Sequence, residues 1–308
     1  MKKIIVFISF LCIIFSFTKI SAQVQTSTNP QAIPEEQKIQ QEEPKKDTLM
    51  ATPIDGITDM SEKFNKTPTP YPYVRDADIG WQKRIWRVID LREKMNQPLY
   101  YPETPHNHWK SLMTVFLDAI KEGSLTAYDA AIGDEFITPL SYKELLERVE
   151  SKQTTQMQRP DPPYDYYDTV ISIKLEPTAI KKYRIKEDWF FDKQRSMFEV
   201  RIIGICPVVD VLDEKDGTLR AYKPLFWIYF PEARPILAKA EVFNRFNSAA
   251  RFTYDDYFWK RLFSSYIYKE DNQYDRTIGE YAKGVDRILE SDRVKEELFN
   301  FEQFLWEY

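Results

Sequence analysis

The sequence predicts an α+β fold: a helical N-terminal part, an antiparallel meander of strands, and C-terminal helices. Three observations predict it. Apolar residues recur at helical spacing within residues 71–150. Runs rich in β-branched and aromatic residues then fill residues 168–229, with Asp216-Gly217 set between two of them. Helical patterns return after Pro231. Strands and helices that come in separate runs favour α+β over a parallel α/β sheet. With 15% aromatics and only eight glycines among 308 residues, the composition is that of a packed body.

Residues 1–22 are expected to be removed. Lys2 and Lys3 precede the apolar run Ile4 to Phe17, and Ser21-Ala22 supplies small residues before a cut between Ala22 and Gln23. This is the pattern of a secretory signal peptide, and the run is too short to span a bilayer. Cys12 lies inside the run behind Phe10 and Leu11, rather than after small residues at its end, which argues against lipid modification. Loss of Lys2, Lys3 and Lys19 takes the basic count from 43 to 40 against 48 acidic residues, so the mature chain carries a net charge of −8. Such a chain has no basic face for phosphates, and no nucleic-acid partner is expected. Cys206 is then the one remaining cysteine, within the apolar run IIGICPVV, and reads as a buried small hydrophobe. The lysine-rich leader suggests a bacterium, and so a periplasmic or outer address.

Residues 23–70 are dominated by Thr, Gln, Pro, Glu and Lys. A segment of this kind buries too little apolar surface to offset its ordering entropy, and a flexible tail is expected. In the helical region 71–150, Asp78 is placed to cap a helix running to about Asn96, with Ile85, Ile89 and Met95 near one face. A second helix is expected from Asn107 to Glu122, with Trp109, Leu112, Met113, Phe116 and Ile120 as its buried stripe and Gly123 as its stop. Ser141 and Glu144 spell a capping box for a third. Residues 151–167, with three prolines, read as a linker.

From 168 to 308 the expectation is an antiparallel sheet followed by helices. DTVISIKLE alternates as a strand with one wet face, and Lys193-Gln194-Arg195-Ser196 turns the chain between two strands. Trp189, Phe191, Phe198, Val200 and Ile202 would line the sheet's buried face. Asp216-Gly217 marks a hairpin, and Pro224 suits an edge strand or a bulge. Helices are expected over 231–246, from Thr253 through Ile267, and from Ile278 to Trp306.

Site chemistry is sparse. His106 and His108 form the one histidine pair and lack a third and fourth ligand for zinc, so no metal and no cofactor is expected. Asp188, Asp192, Asp255 and Asp256 would serve a hydrolase only if a cleft gathered at least two of them. No nucleophile elbow, P-loop, dinucleotide fingerprint or C-x-x-C is present, and the chain reads as not an enzyme. Tyrosines beside prolines stand out instead: Tyr71 and Tyr73, Tyr100 and Tyr101, and Tyr164, Tyr166 and Tyr167. Tyrosine is enriched at interfaces because its ring is large, rigid and amphipathic, and equally such rings pack linkers onto a body. These seven residues are the interface candidates.

Two stretches resemble a known family. WRVIDLREKMNQPLYYPE (86–103) and KEDWFFDKQRSMFEVRIIGICPV (186–208) are similar to the body of the gliding motility and type IX secretion proteins GldN, called PorN in non-gliding bacteria. The resemblance covers about residues 75–270. It implies a periplasmic structural subunit at the inner face of the outer membrane. It further implies self-association in a ring with an outer-membrane lipoprotein of the GldK/PorK kind, linked to the inner-membrane proteins GldL and GldM (PorL and PorM). It implies no catalytic residue. From the residues alone, a periplasmic glycan- or peptidoglycan-binding module built on Tyr and Trp platforms is the alternative.

Overall fold

The structure, a computed structural model, describes residues 65–106, 108–149, 151–158, 166–173, 176–212, 218–245, 247 and 249–306. The leader, residues 23–64 and the tip Asp216-Gly217 lie outside them. In chain order the elements are β1 (Ile79–Asp90), α1 (Gln97–Tyr100), α2 (Leu112–Lys121), β2 (Ala127–Asp129), β3 (Pro139–Leu140), α3 (Tyr142–Val149), β4 (Ser151–Gln158) and β5 (Tyr166–Ile173). There follow β6 (Ile180–Asp192), β7 (Met197–Leu212), β8 (Leu219–Pro224), β9 (Phe226–Tyr229), α4 (Phe230–Leu237), α5 (Tyr254–Trp259), β10 (Tyr266–Glu270), α6 (Ile278–Tyr281) and α7 (Val285–Phe304). The fold is α+β, as the sequence predicts.

Eight strands form one antiparallel sheet in the order β10-β1-β6-β7-β9-β2-β3, with β8 also paired to β7. β4 and β5 form a separate two-stranded ribbon. The spine is the long β6–β7 hairpin, closed by residues 193–196 as expected, with Asp192 opposite Met197. Its register slips once in the middle: Lys186 faces Gly204 while Glu187 faces Ile202. This bulge accompanies a tight approach, because a Cβ on Gly204 would lie 2.5 Å from the Phe136 ring.

One face of the sheet carries the main core. Ile89, Tyr183, Ile185, Ile202 and Ile205 pack there with Phe116 of α2, Phe230 and Leu237 of α4, and Tyr254 and Phe258 of α5. Towards one end, α7 supplies a second core, in which Val294 and Leu298 meet Ile85 and Ile267. A third cluster joins Trp86, Cys206 and Trp227 to Phe136. Burial pushes the Cys206 thiol up to about 12, as befits an inert packing residue.

Several expected elements are corrected. The helix proposed for 78–96 is strand β1. Ile85 and Ile89 are four residues apart, a spacing that shares a face in a helix and equally in a strand, so it did not discriminate. The six residues Ile85–Asp90 are all buried, which erases the wet–dry alternation that marks a strand. The second helix begins at Leu112 rather than 107, with Ser111 as its cap accepting from the Thr114 amide. Gly123 ends it at φ +74°, and Leu112, Met113, Phe116 and Ile120 are buried as expected. The capping box at Ser141 and Glu144 forms in both directions. The first half of the segment read as a linker is strand β4, and Tyr166 and Tyr167 open β5. Polar strands with few apolar residues carry little periodic signal.

The helix expected over 231–246 stops at Leu237, and the one expected from Thr253 through Ile267 stops at Trp259. The latter gives way to Arg261 at φ +53° and then β10. The last helix is two, broken at Gly284, where φ is +60°. Pro224 ends β8, a strand paired on one side only, as its chemistry suggested. Among the described residues no helix is long and apolar enough to cross a membrane.

Candidate functional site

Among the described residues, Tyr71, Tyr73, Tyr100 and Tyr101 sit in different surroundings. Tyr71 is the most engaged. Residues 65–75 run as an irregular strap before β1, and Pro68, Pro70 and Pro72 favour an extended chain along it. The strap is held by side chains. Lys66 Nζ donates to both oxygens of Asp256 at 2.5 and 2.7 Å. The Tyr71 ring stacks on Trp259 at 5.4 Å between centroids. Its faces also meet the guanidinium carbons of Arg234 at 4.4 Å and Arg201 at 5.2 Å. Arg201 Nη2 donates to the Pro72 carbonyl at 2.6 Å. Burial raises the Tyr71 hydroxyl above its ordinary range, against the pull of Arg234.

The socket is built in layers. Arg234 is buried on α4 and donates to Asp255 of α5 at 2.8 and 3.2 Å, so its fork is fixed and its face is free to stack. Arg201 lies over Phe190 at 4.9 Å as well as over Tyr71. α5 is locked by the box between Thr253 and Asp256, which aims Trp259 at the strap. Sequence reasoning named Tyr71 and missed Arg201, Arg234, Trp259 and Lys66. The available signal was Arg234, a guanidinium inside the otherwise apolar string ARPILA.

Tyr73, by contrast, is 88% exposed. Tyr100 packs against the main core, meets Tyr101 edge-on at 5.0 Å and lies under Lys181. Tyr101 is 44% exposed and precedes a cis bond to Pro102. Tyr166 and Tyr167 face Gln158 and Met157 across the ribbon. Tyr164 lies outside the described residues.

The carboxylates proposed for a hydrolase each hold a different cation. Asp188 takes Arg84 at 2.6 and 2.9 Å, and Asp192 takes Arg195 at 2.7 Å within the 193–196 turn. Asp255 takes Arg234, and Asp256 takes Lys66. Hydrogen bonding from Arg195 holds Asp192 below the usual carboxylate range. At Asp256 burial works to raise the value, but the hydrogen bonds from Lys66 and Thr253 outweigh it and the net shift is downward. Such groups stay ionised, whereas a general acid at neutral pH needs the opposite shift.

His108 Nε2 lies 3.3 Å from Glu241, a carboxylate that also takes the Arg251 fork. These side chains, with Trp109, Val242, Asn244 and Ala250, line a shallow pocket. His106 instead bridges backbone to backbone with Trp109. Among the described residues no three His, Cys, Asp or Glu side chains are grouped to hold a metal ion. The expected lining of the sheet's buried face holds in part. Ile202 is fully buried, while Trp189 and Phe198 are half-buried in an aromatic cluster with Trp81 and Phe301.

A comparison with curated proteins finds no match. The family model described as gliding motility associated protein GldN matches residues 74–307, from the end of the strap through α7. That span takes in both stretches whose wording resembled the family, every strand of the sheet and the Arg201–Arg234–Trp259 socket. The chain therefore belongs to the GldN family, the gliding motility associated proteins of the gliding and type IX secretion machinery.

Proposed function

We propose that this chain is a non-enzymatic structural subunit of that machinery. In this reading it works in the periplasm at the inner face of the outer membrane. It joins copies of itself head to tail in a ring with an outer-membrane lipoprotein of the GldK/PorK kind, and it meets an inner-membrane-anchored GldM/PorM-like protein. The observation that carries the reading is the family match over the whole folded body. A supporting one is that the charged side chains cross-brace elements rather than converge: Arg84 to Asp188, Arg234 to Asp255, Arg261 to Glu187. A body braced in this way resists deformation, which is what a load-transmitting subunit needs. Heterologous contacts close into a ring when the rotation between neighbours allows it.

The test is composition. The chain is tagged at its C-terminus, envelopes are solubilised gently, and co-purifying chains are identified by mass spectrometry. A stoichiometric, lipid-modified outer-membrane protein is expected. Recovery without a stoichiometric partner, together with retention on cell-wall sacculi, would replace the reading with the glycan-binding one.

A further inference from the structure

α7 is apolar on two opposite sides. Its inner side is the series Ser291, Val294, Leu298 and Phe301, with Leu305 just beyond, spaced three and four apart. Ser291, Val294 and Leu298 are buried. Phe301 stacks on Trp81 at 4.5 Å, and Ser291 Oγ accepts from the Ile267 amide of β10 at 3.1 Å. The outer side has its own series. Val285, Phe299 and Trp306 share a seven-residue frame with Asp292, and Ile288 and Leu289 lie beside it. Seven residues is close to two turns, so Val285, Asp292 and Phe299 stack in one seam about 20 Å long on α7, and Trp306 follows in the turn just past its end. Val285 is 70% exposed, Ile288 63%, Leu289 61%, Phe299 62% and Trp306 80%. A helix that is apolar on both sides is one that packs on both sides.

We propose that this outer seam pairs α7 with α7 of a second copy, antiparallel, about a two-fold axis between Lys295 and Glu296. Charge and register select that occupant. An antiparallel pair centred there sets Val285 opposite Trp306, Asp292 opposite Phe299, and Lys295 opposite Glu296, each twice by symmetry. Lys295 of one copy then sits between Glu296 and, one turn away, Asp292 of the second copy. None of these three has an ion pair within its own chain among the described residues, and all three are exposed. A parallel arrangement in the same frame would instead stack Asp292 on Asp292. The seam repeats every seven residues, as side-by-side helices packing knobs into holes require. The pairing is isologous, so it is distinct from a head-to-tail ring contact and does not depend on the ring reading.

Charge reversal tests it. Association of the purified full chain is measured by sedimentation equilibrium, with circular dichroism confirming the fold. Lys295→Glu alone reverses four contacts, with Glu296 and Asp292 twice each, and Glu296→Lys alone reverses two, and each is expected to weaken self-association about tenfold. The triple variant D292K/K295E/E296K inverts both partners of Lys295 together with Lys295 itself, restores every attraction and is expected to return the dissociation constant to within about threefold of the parent. Phe299→Asp is expected to abolish the dimer. A chain that is monomeric up to about 100 µM overturns the proposal. So does a triple variant as weak as the singles, which would assign the seam to a different protein.

Discussion

Glu187 is fully buried, and three donors surround its carboxylate. Arg261 Nη2 approaches at 2.8 and 3.1 Å, Trp189 Nε1 donates at 3.1 Å, and Arg87 Nε lies 3.2 Å away. Arg87 and Arg261 also lie over the Trp189 ring, at 5.4 and 5.6 Å. Burial lowers the Arg87 pKa, with Glu187 opposing it, so this guanidinium depends on its counter-charge. Replacing Glu187 by Gln keeps the shape and removes the charge. The expected cost is about 3–5 kcal/mol in urea unfolding, because two guanidinium groups lose their anion. A loss below about 1 kcal/mol would show that solvent reaches the pair and screens it.

The strap's hold on the body is also a residue-scale matter, and its pH dependence has a definite sign. The Asp256 pKa is lowered in the folded chain from the ordinary 3.8. The stabilisation it contributes is therefore complete above that ordinary value and is lost as pH falls through the lower, folded one. Pepsin cleavage between Tyr73 and Val74, in the same strap, is expected to accelerate several-fold as pH falls below 3.8. An Asp256→Asn chain is expected to show the fast cut already at about pH 4. Equal rates in the two chains at that pH would mean that the Tyr71 socket alone holds the strap.

At the scale of elements, α7 is attached by a narrow seam. Leu298→Ala is expected to cost about 2–4 kcal/mol and to free α7 with β10, because Leu298 and Val294 are the helix's two buried aliphatics. Hydrogen exchange would show protection lost first in Val285–Phe304 and Tyr266–Glu270. Uniform loss across the sheet would show instead that the second core unfolds with the first.

Legibility also varied by element. Helices with a cap and one apolar stripe, α2 and α3, were readable because a single local period and a single end signal agreed. The β6–β7 hairpin was readable from its polar turn between β-rich runs. β1 was not, because burial on both faces removed its alternation and Ile85–Ile89 fits either period. The breaks after Leu237 and Trp259 were hidden because the apolar pattern runs on past them. There the chain turns to satisfy tertiary bonds: Val242 N donates to Phe252 O, and Tyr254 N to Ala240 O. For the site, Tyr71 was visible beside its prolines. The residues that seize it come from β7, α4 and α5, and one-dimensional spacing does not report their meeting.

At the scale of the whole molecule, the sheet is braced on its core face by α2, α4 and α5, at one end by α7, and across its front by the strap. The β4–β5 ribbon pairs with no strand of the main sheet among the described residues, and the outer seam of α7 is exposed. An isolated two-stranded ribbon is marginal in water, so an element of this kind suits a subunit that is completed by neighbours. The central claim is that this chain works as one of many copies in an envelope assembly. The measurement that tests it most directly is the native mass of the chain extracted gently from its own cell envelope. The account predicts an assembly of megadalton scale in which this chain and a lipoprotein recur many times. A monomer of 36.7 kDa or less, with no stoichiometric partner, would contradict it.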